Sequence, residues 1–212
     1  MRTTSTRYHK MVIPLLTIVL DEAYKGMEWD ADSVQGSVAK SFANLDPKQF
    51  LVVKVDGATK ELFFFGGRIG FVTFLCNATV APVLEEKVIA SIRSTVSALP
   101  SPSQAMVLKS LQSTSLDDEV KEIRGLLYRR YQALKKAMDE RNLPYFPFNS
   151  AFFVLVRTPN DAEEMRQYLL TQGVGVVSVP SERAIRVSYS TVSVESIPQM
   201  INIIADAVDT MS

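Results

Sequence analysis

Lys60 stands eight residues before Arg68, and Gly66, Gly67 and Gly70 surround that arginine. Lysine carries a primary amine that can condense with a carbonyl. Arginine carries a planar guanidinium suited to anions. Asp21 and Glu22 close the apolar run Leu15 to Leu20, and Tyr24 follows. In open α/β sheets ligands meet the carboxyl ends of strands, which is where Asp21 falls. Arg186 lies in the late apolar-alternating stretch 184–189. Each of these residues also has a plainer reading. Lys60 is then a surface lysine, Arg68 a salt-bridge partner at a turn, and Asp21 the cap of a turn after a strand. Tyr24 becomes a core aromatic and Arg186 an outward-facing strand charge.

The elements that position these residues follow from periodicity. Short apolar runs at 15–20, 50–55 and 69–75 read as strands. A helical pattern near 33–44 lies between the first two. Strands alternating with helices favour a parallel sheet. A helix at about 82–98 starts beside Pro82, a tolerated first-turn proline. Pro100-Ser101-Pro102 then marks a break, followed by a helix at about 103–112. A long helix, about 117–141, carries Val120, Ile123, Leu127, Leu134 and Met138 on one stripe, which reads as core. Asp117 and Asp118 suit its N-terminus and Lys135, Lys136 and Arg141 its C-terminus. Pro144 and Pro147 end it. A strand at 151–157, a helix at about 161–171, strands near 174–178 and 184–189 and a helix at 196–210 complete the chain. The expected class is α/β: a mostly parallel sheet with helices over residues 1–100, and an α+β small domain over 101–212. Trp29 and the Phe63–Phe65 run read as packing or dimer-interface residues, and Asn149 and Ser150 as turn residues.

Composition narrows the function classes. Hydrophobic residues at 47% against charged residues at 22% support a packed core rather than disorder. The 23 basic and 23 acidic residues give no electrostatic reason to expect nucleic acid or an anionic membrane as partner. One cysteine, Cys76, cannot form an internal disulfide and reads as an inert buried thiol. One histidine, His9, cannot supply a Cys/His metal cluster, so no metal site is expected. These features suit a reducing, cytoplasmic setting. Arg2, Arg7 and Lys10 before the run Met11 to Leu20 superficially resemble a signal peptide. The run is too short to span a membrane and ends in acids, not in a small-residue cleavage site, so a buried strand is the better reading.

Taken in order, Asp21-Glu22-Ala23-Tyr24, Lys60 and Gly66-Gly67-Arg68-Ile69-Gly70 resemble the fold-type I aminotransferases that use pyridoxal 5'-phosphate (PLP). The resemblance continues through Ser101-Pro102-Ser103-Gln104, Pro147-Phe148-Asn149-Ser150 and Ile185-Arg186-Val187-Ser188. It implies that the first region is the C-terminal part of a PLP-binding large domain. It also implies roles. Lys60 would form the Schiff base with the PLP aldehyde and move the substrate's α-proton. Asp21 would pair with the pyridinium nitrogen, and Tyr24 would donate to the ring phenolate oxygen. Arg68 would grip the phosphate, and Arg186 would clamp the substrate's α-carboxylate. The implied reaction moves an amino group from an amino acid to a 2-oxo acid in a homodimer; a PLP lyase or decarboxylase is a close variant.

Two departures temper the resemblance. Many members carry a serine or threonine three residues before the lysine to help hold the phosphate, where this chain has Gly57. The resemblance also covers only the C-terminal half of such enzymes. The other half supplies the first strands of the large sheet, the phosphate turn and the aromatic that stacks on the ring. A sheet lacking those strands should expose unpaired edges and an uncovered apolar face. The alternative expectation is therefore a catalytically inactive fragment of such an enzyme. In the enzyme reading, a separate N-terminal half is a candidate partner.

Overall fold

The computed structural model describes residues 16–211. Arg2, Arg7, His9, Lys10 and the first half of the apolar run, 11–15, lie outside the described residues. The chain divides into two compact units. The first comprises residues up to Ala23, Ser37–Lys60 and Phe64–Val107; the second comprises Tyr24–Gly36, Glu61–Phe63 and Leu108 onward.

In the first unit, β1 (Leu16–Asp21), β2 (Phe50–Gly57) and β3 (Gly70–Leu75) form one sheet in the order β1-β2-β3. β1 and β2 are parallel, with Asp21 opposite Val55. β2 and β3 are antiparallel, with Gly57 opposite Gly70. The α/β class holds, but β3 departs from the parallel expectation. The link from β2 folds into a single helical turn, α1 (Ala58–Glu61), and a 3₁₀ turn at Phe65–Gly67. These return the chain beside its own strand, whereas a parallel partner would need a crossover over the sheet face. The helix expected at 33–44 shrinks to a 3₁₀ turn at Val38–Phe42. Gly36 sits at φ +77°, outside the helical region, and so ends any continuous helix before that turn.

Two helices follow, α2 (Ala81–Thr95) and α3 (Ser101–Leu111). The second begins at Ser101, earlier than expected, because Pro102 falls in its first turn, where no amide hydrogen is needed. No residue of α2 is buried. Leu16, Val19, Val72, Val83 and Ile89 are all exposed, with Val19 and Val72 on one face of the sheet and Leu16 on the other. Cys76 is half-buried rather than fully buried.

The second unit holds α4 (Leu116–Glu140), β4 (Phe153–Arg157), α5 (Ala162–Thr171), β5 (Val177–Val179), β6 (Ala184–Ser188) and α6 (Ile197–Met211). Its sheet is antiparallel in the order β4-β6-β5. α4, α5 and α6 supply most of its core, with Leu134, Met138, Met165, Leu169, Ile197, Ile201 and Ile204 fully buried together. The α4 stripe is core from Leu127 onward. Leu127, Leu134 and Met138 are buried, but Ile123, one helical turn before Leu127, is 40% exposed. The Trp29 indole donates to the Ala151 carbonyl at 2.7 Å and to the Tyr189 hydroxyl at 3.0 Å. Trp29 is thus an intramolecular packing residue, whereas Phe65 is exposed. Asn149 and Ser150, expected as turn residues, instead lie in backbone pairing: Ser150 bridges Glu28, and the Trp29 amide donates to the Asn149 carbonyl.

Asp161 caps α5 by accepting from the Glu163 and Glu164 amides. Glu163 then gathers a bidentate Arg166 guanidinium, the Ser178 hydroxyl at 2.7 Å and the Gln167 amide. These donors, Arg166 first, hold the Glu163 carboxyl down to about 2 from the ordinary 4.5. A depressed carboxyl stabilises the fold fully above its ordinary value, and that contribution is lost as pH falls toward about 2. An NMR titration of the Glu163 side-chain carboxyl should therefore find its midpoint near 2. A midpoint near 4.5 would mean that the cluster does not persist in solution.

Candidate active site

Lys60 sits in α1, the one-turn helix that follows β2, three residues beyond Gly57. Arg68 ends the 3₁₀ turn before β3. The antiparallel pairing of β2 with β3 is what brings these two cations together. Both line one open pocket of about 250 Å³, with Ala23, Asp56, Gly57, Thr59 and Gly70 among its other walls. The pocket lies wholly within the first unit.

Arg68 is held in a left-handed conformation, φ 53° and ψ 43°. Its guanidinium is exposed, lies 5.7 Å from the Phe65 ring centroid and makes a long hydrogen bond of 3.5 Å to the Phe65 carbonyl. Such weak local contacts leave most of its donors to a ligand. Ala58 is buried, and its amide donates to the Ile69 carbonyl at 3.1 Å, which ties the start of α1 to the strand bearing Arg68's neighbours.

Asp21 ends β1, beside Val55, which is itself a pocket wall. One of its carboxylate oxygens accepts from the Ala23 amide at 3.0 Å, so it also caps a turn. Asp21 does not line the pocket; Ala23 does. Tyr24 and Arg186 belong to the second unit, where they share a neighbour. The Tyr24 ring lies 6.0 Å from the Phe153 ring, and the Arg186 guanidinium lies 5.3 Å from the same ring centroid. Arg186 is exposed on β6, the central strand, opposite Leu155 and Val177.

Three functional candidates escaped sequence reasoning. Asp56, only 8% exposed, lines the pocket, and the Lys54 ammonium binds its carboxylate. The two stand two apart on β2, so the period of a strand puts them on one face. That spacing within an otherwise apolar run was the available signal. Thr59 lines the pocket beside Lys60. Glu22 is buried; one of its oxygens accepts from the Ser37 hydroxyl at 2.8 Å and the Ala39 amide at 3.0 Å, fixing the 3₁₀ turn. No pattern in the sequence links Glu22 to residues so far along. Among the described residues no group of three acidic, histidine or cysteine side chains is placed to hold a metal ion. Among them, too, no helix is long and apolar enough to cross a membrane.

The chain thus combines an α/β unit, with a lysine and an arginine on one strand-end pocket, and a unit built on an antiparallel sheet with helices. The profile of the aminotransferase class I and II family matches residues 15–204, and the chain belongs to that family. Solved structures agree. An aminotransferase from Anaerococcus prevotii DSM 20548 superposes with a TM-score of 0.77 at 22% identity, covering 92% of this chain and 47% of that one. An aromatic aminotransferase from Pyrococcus horikoshii OT3 gives a TM-score of 0.72 at 21% identity, covering 92% and 52%. LysN, an α-aminoadipate aminotransferase from Thermus thermophilus complexed with N-(5'-phosphopyridoxyl)-L-leucine, gives 0.73 at 19% identity, covering 92% and 51%. The chain thus spans about half the length of the solved structures it matches. No curated protein matches it in sequence.

Proposed function

We propose that this chain is the cofactor-holding half of a PLP-dependent aminotransferase that moves an amino group from an amino acid to a 2-oxo acid. The observation that carries this reading is the shared pocket: Lys60 and Arg68, from opposite sides of the β2–β3 turn, line one space. The donor set suits PLP, since a primary amine meets an aldehyde and a guanidinium meets a phosphate. The bound cofactor would supply the electron sink for chemistry at the amino acid's α-carbon. Lys60 would anchor it through its amine and, once displaced by substrate, shuttle the α-proton. Asp21, at the end of β1, would hold the ring nitrogen protonated with its outward carboxylate. Tyr24 would donate to the ring's phenolate oxygen, and Arg68 would hold the phosphate. Arg186 would bind the substrate's α-carboxylate; its exposure on the central strand β6 supports that role. A homodimer in the cytoplasm is the expected setting.

The test is direct. The chain is incubated with PLP, reduced with borohydride and digested for peptide mass spectrometry. One stoichiometric pyridoxyl group on Lys60 supports the reading; label scattered over other lysines, or none, overturns it. Arg186 has its own test. Arg186→Gln should weaken binding of the amino acid donor by roughly tenfold to a hundredfold in a spectral titration, the value of a charge-assisted hydrogen-bonded pair. Arg186→Lys should restore little, because an ammonium cannot reproduce the bidentate fork. Unchanged binding in Arg186→Gln would remove it from the site.

A second reading has its own observation. α2 buries no side chain, and Leu16, Val19 and Val72 of the first sheet are exposed. A second polypeptide supplying the other half of the fold would cover such a surface. Without one, the chain is a catalytically inactive fragment.

A further inference from the structure

Gly57 and Gly70 face each other where β2 meets β3. The strands approach so closely there that a Cβ built on Gly57 would lie 3.0 Å from the Ile69 carbonyl oxygen and 3.4 Å from the Gly70 Cα. Both of those atoms are backbone and cannot swing aside. A serine or threonine at position 57 would need the facing backbone at Ile69 and Gly70 to give by a few tenths of an ångström at the floor of the pocket. The geometry disfavours a hydroxyl ligand at that position.

The nearest hydroxyl on this wall is two residues further on. Thr59 is half-buried, lines the same pocket as Lys60 and Arg68, and its hydroxyl makes no hydrogen bond to another described residue. α1 begins at Ala58, whose amide is fixed to the Ile69 carbonyl, so the backbone carrying Thr59 is pinned at its start. The acid on the same wall, Asp56, has its charge matched by Lys54. A dianionic group entering the pocket therefore meets Arg68 and Lys60 without an unopposed carboxylate.

We propose that Thr59 donates its hydroxyl to the phosphate of the cofactor, the ligand that the Gly57–Gly70 approach moves from position 57 to position 59. This inference rests on the cofactor reading above. It concerns binding alone: the threonine O–H donates to a phosphate oxygen, and no bond is made or broken.

Binding of PLP and of pyridoxal, which lacks the phosphate, is measured by absorbance titration on the full chain, with Lys60 labelling mapped in parallel. Valine keeps the shape of threonine and deletes the hydroxyl. Thr59→Val should weaken PLP binding roughly tenfold or more, the value of one hydrogen bond to a charged group. It should leave pyridoxal binding within about twofold, because the lost partner is the phosphate alone. Thr59→Ser should restore PLP binding, since it returns the hydroxyl. Inorganic phosphate should compete with PLP less effectively in Thr59→Val than in the parent. Equal loss of PLP and pyridoxal binding, unchanged PLP binding, or failure of Thr59→Ser to rescue would each overturn the inference. A labelled Lys60 with an unaffected Thr59→Val removes the inference and leaves the cofactor reading standing; an unlabelled parent chain removes both.

Discussion

Lys60→Ala should remove any borohydride-trapped pyridoxyl group from the chain, with label on the remaining lysines staying at background. The expected change is from one group per chain to essentially none. Lys60 is half-buried, at the third residue of a one-turn helix rather than in a packed core. Shortening it to alanine should cost less than about 1 kcal/mol of stability, as for surface substitutions generally. Loss of label therefore reports loss of the amine, not loss of the fold; an unchanged thermal transition beside the lost label would confirm this. In an assembly that transaminates, the same substitution should lower the rate by on the order of 10² to 10⁴ from the missing proton transfer alone. A variant that still carries a stoichiometric pyridoxyl group would put the cofactor on another lysine.

Ile201→Ala should destabilise the second unit by about 3 kcal/mol, within the span measured for large-to-small core changes. Ile201 is fully buried on α6 among Leu134, Met138, Leu169 and Ile204. A fall in Tm of roughly ten degrees or more should follow for a unit of this size. The same chemical deletion in the first unit should behave differently. Ile89 on α2 is 52% exposed. Ile89→Ala should shift the stability of the chain alone by no more than about 0.5 kcal/mol. Differential scanning calorimetry of the two variants separates them. If Ile89→Ala costs as much as Ile201→Ala, the α2 face is covered in solution, and a second polypeptide or a second copy is present.

The sequence marked the two pocket cations more plainly than the direction of the third strand. The eight-residue step from Lys60 to Arg68, with its glycines, marked the two cations that share the pocket, because a strand-turn-strand keeps such residues close. Spacing could not reveal that β3 runs antiparallel to β2. That depends on how twelve or so linking residues fold back, and several local geometries satisfy the same pattern. The helix expected at 33–44 does not form as one piece because Gly36, at positive φ, interrupts it. Ile123 and Ile89 show a further limit. Periodicity identifies which face of a helix is apolar, not whether anything covers it. Glu22 is recognised as a buried carboxylate only by its partner Ser37, which carries no sequence signature of pairing, whereas for Asp56 the two-residue step to Lys54 was the one available signal.

Arg68 occupies a left-handed backbone conformation that a residue with a Cβ adopts at a cost of about 1 kcal/mol, and that glycine adopts freely. Local energetics alone would replace this arginine with glycine or asparagine. Its persistence against that drift would mean that selection reads the guanidinium, not the turn. A chain released from catalytic duty would be expected to lose Arg68 early, well before its buried isoleucines. Within any lineage of such chains, the identity of this one residue is then a clock for how recently the pocket was last in use.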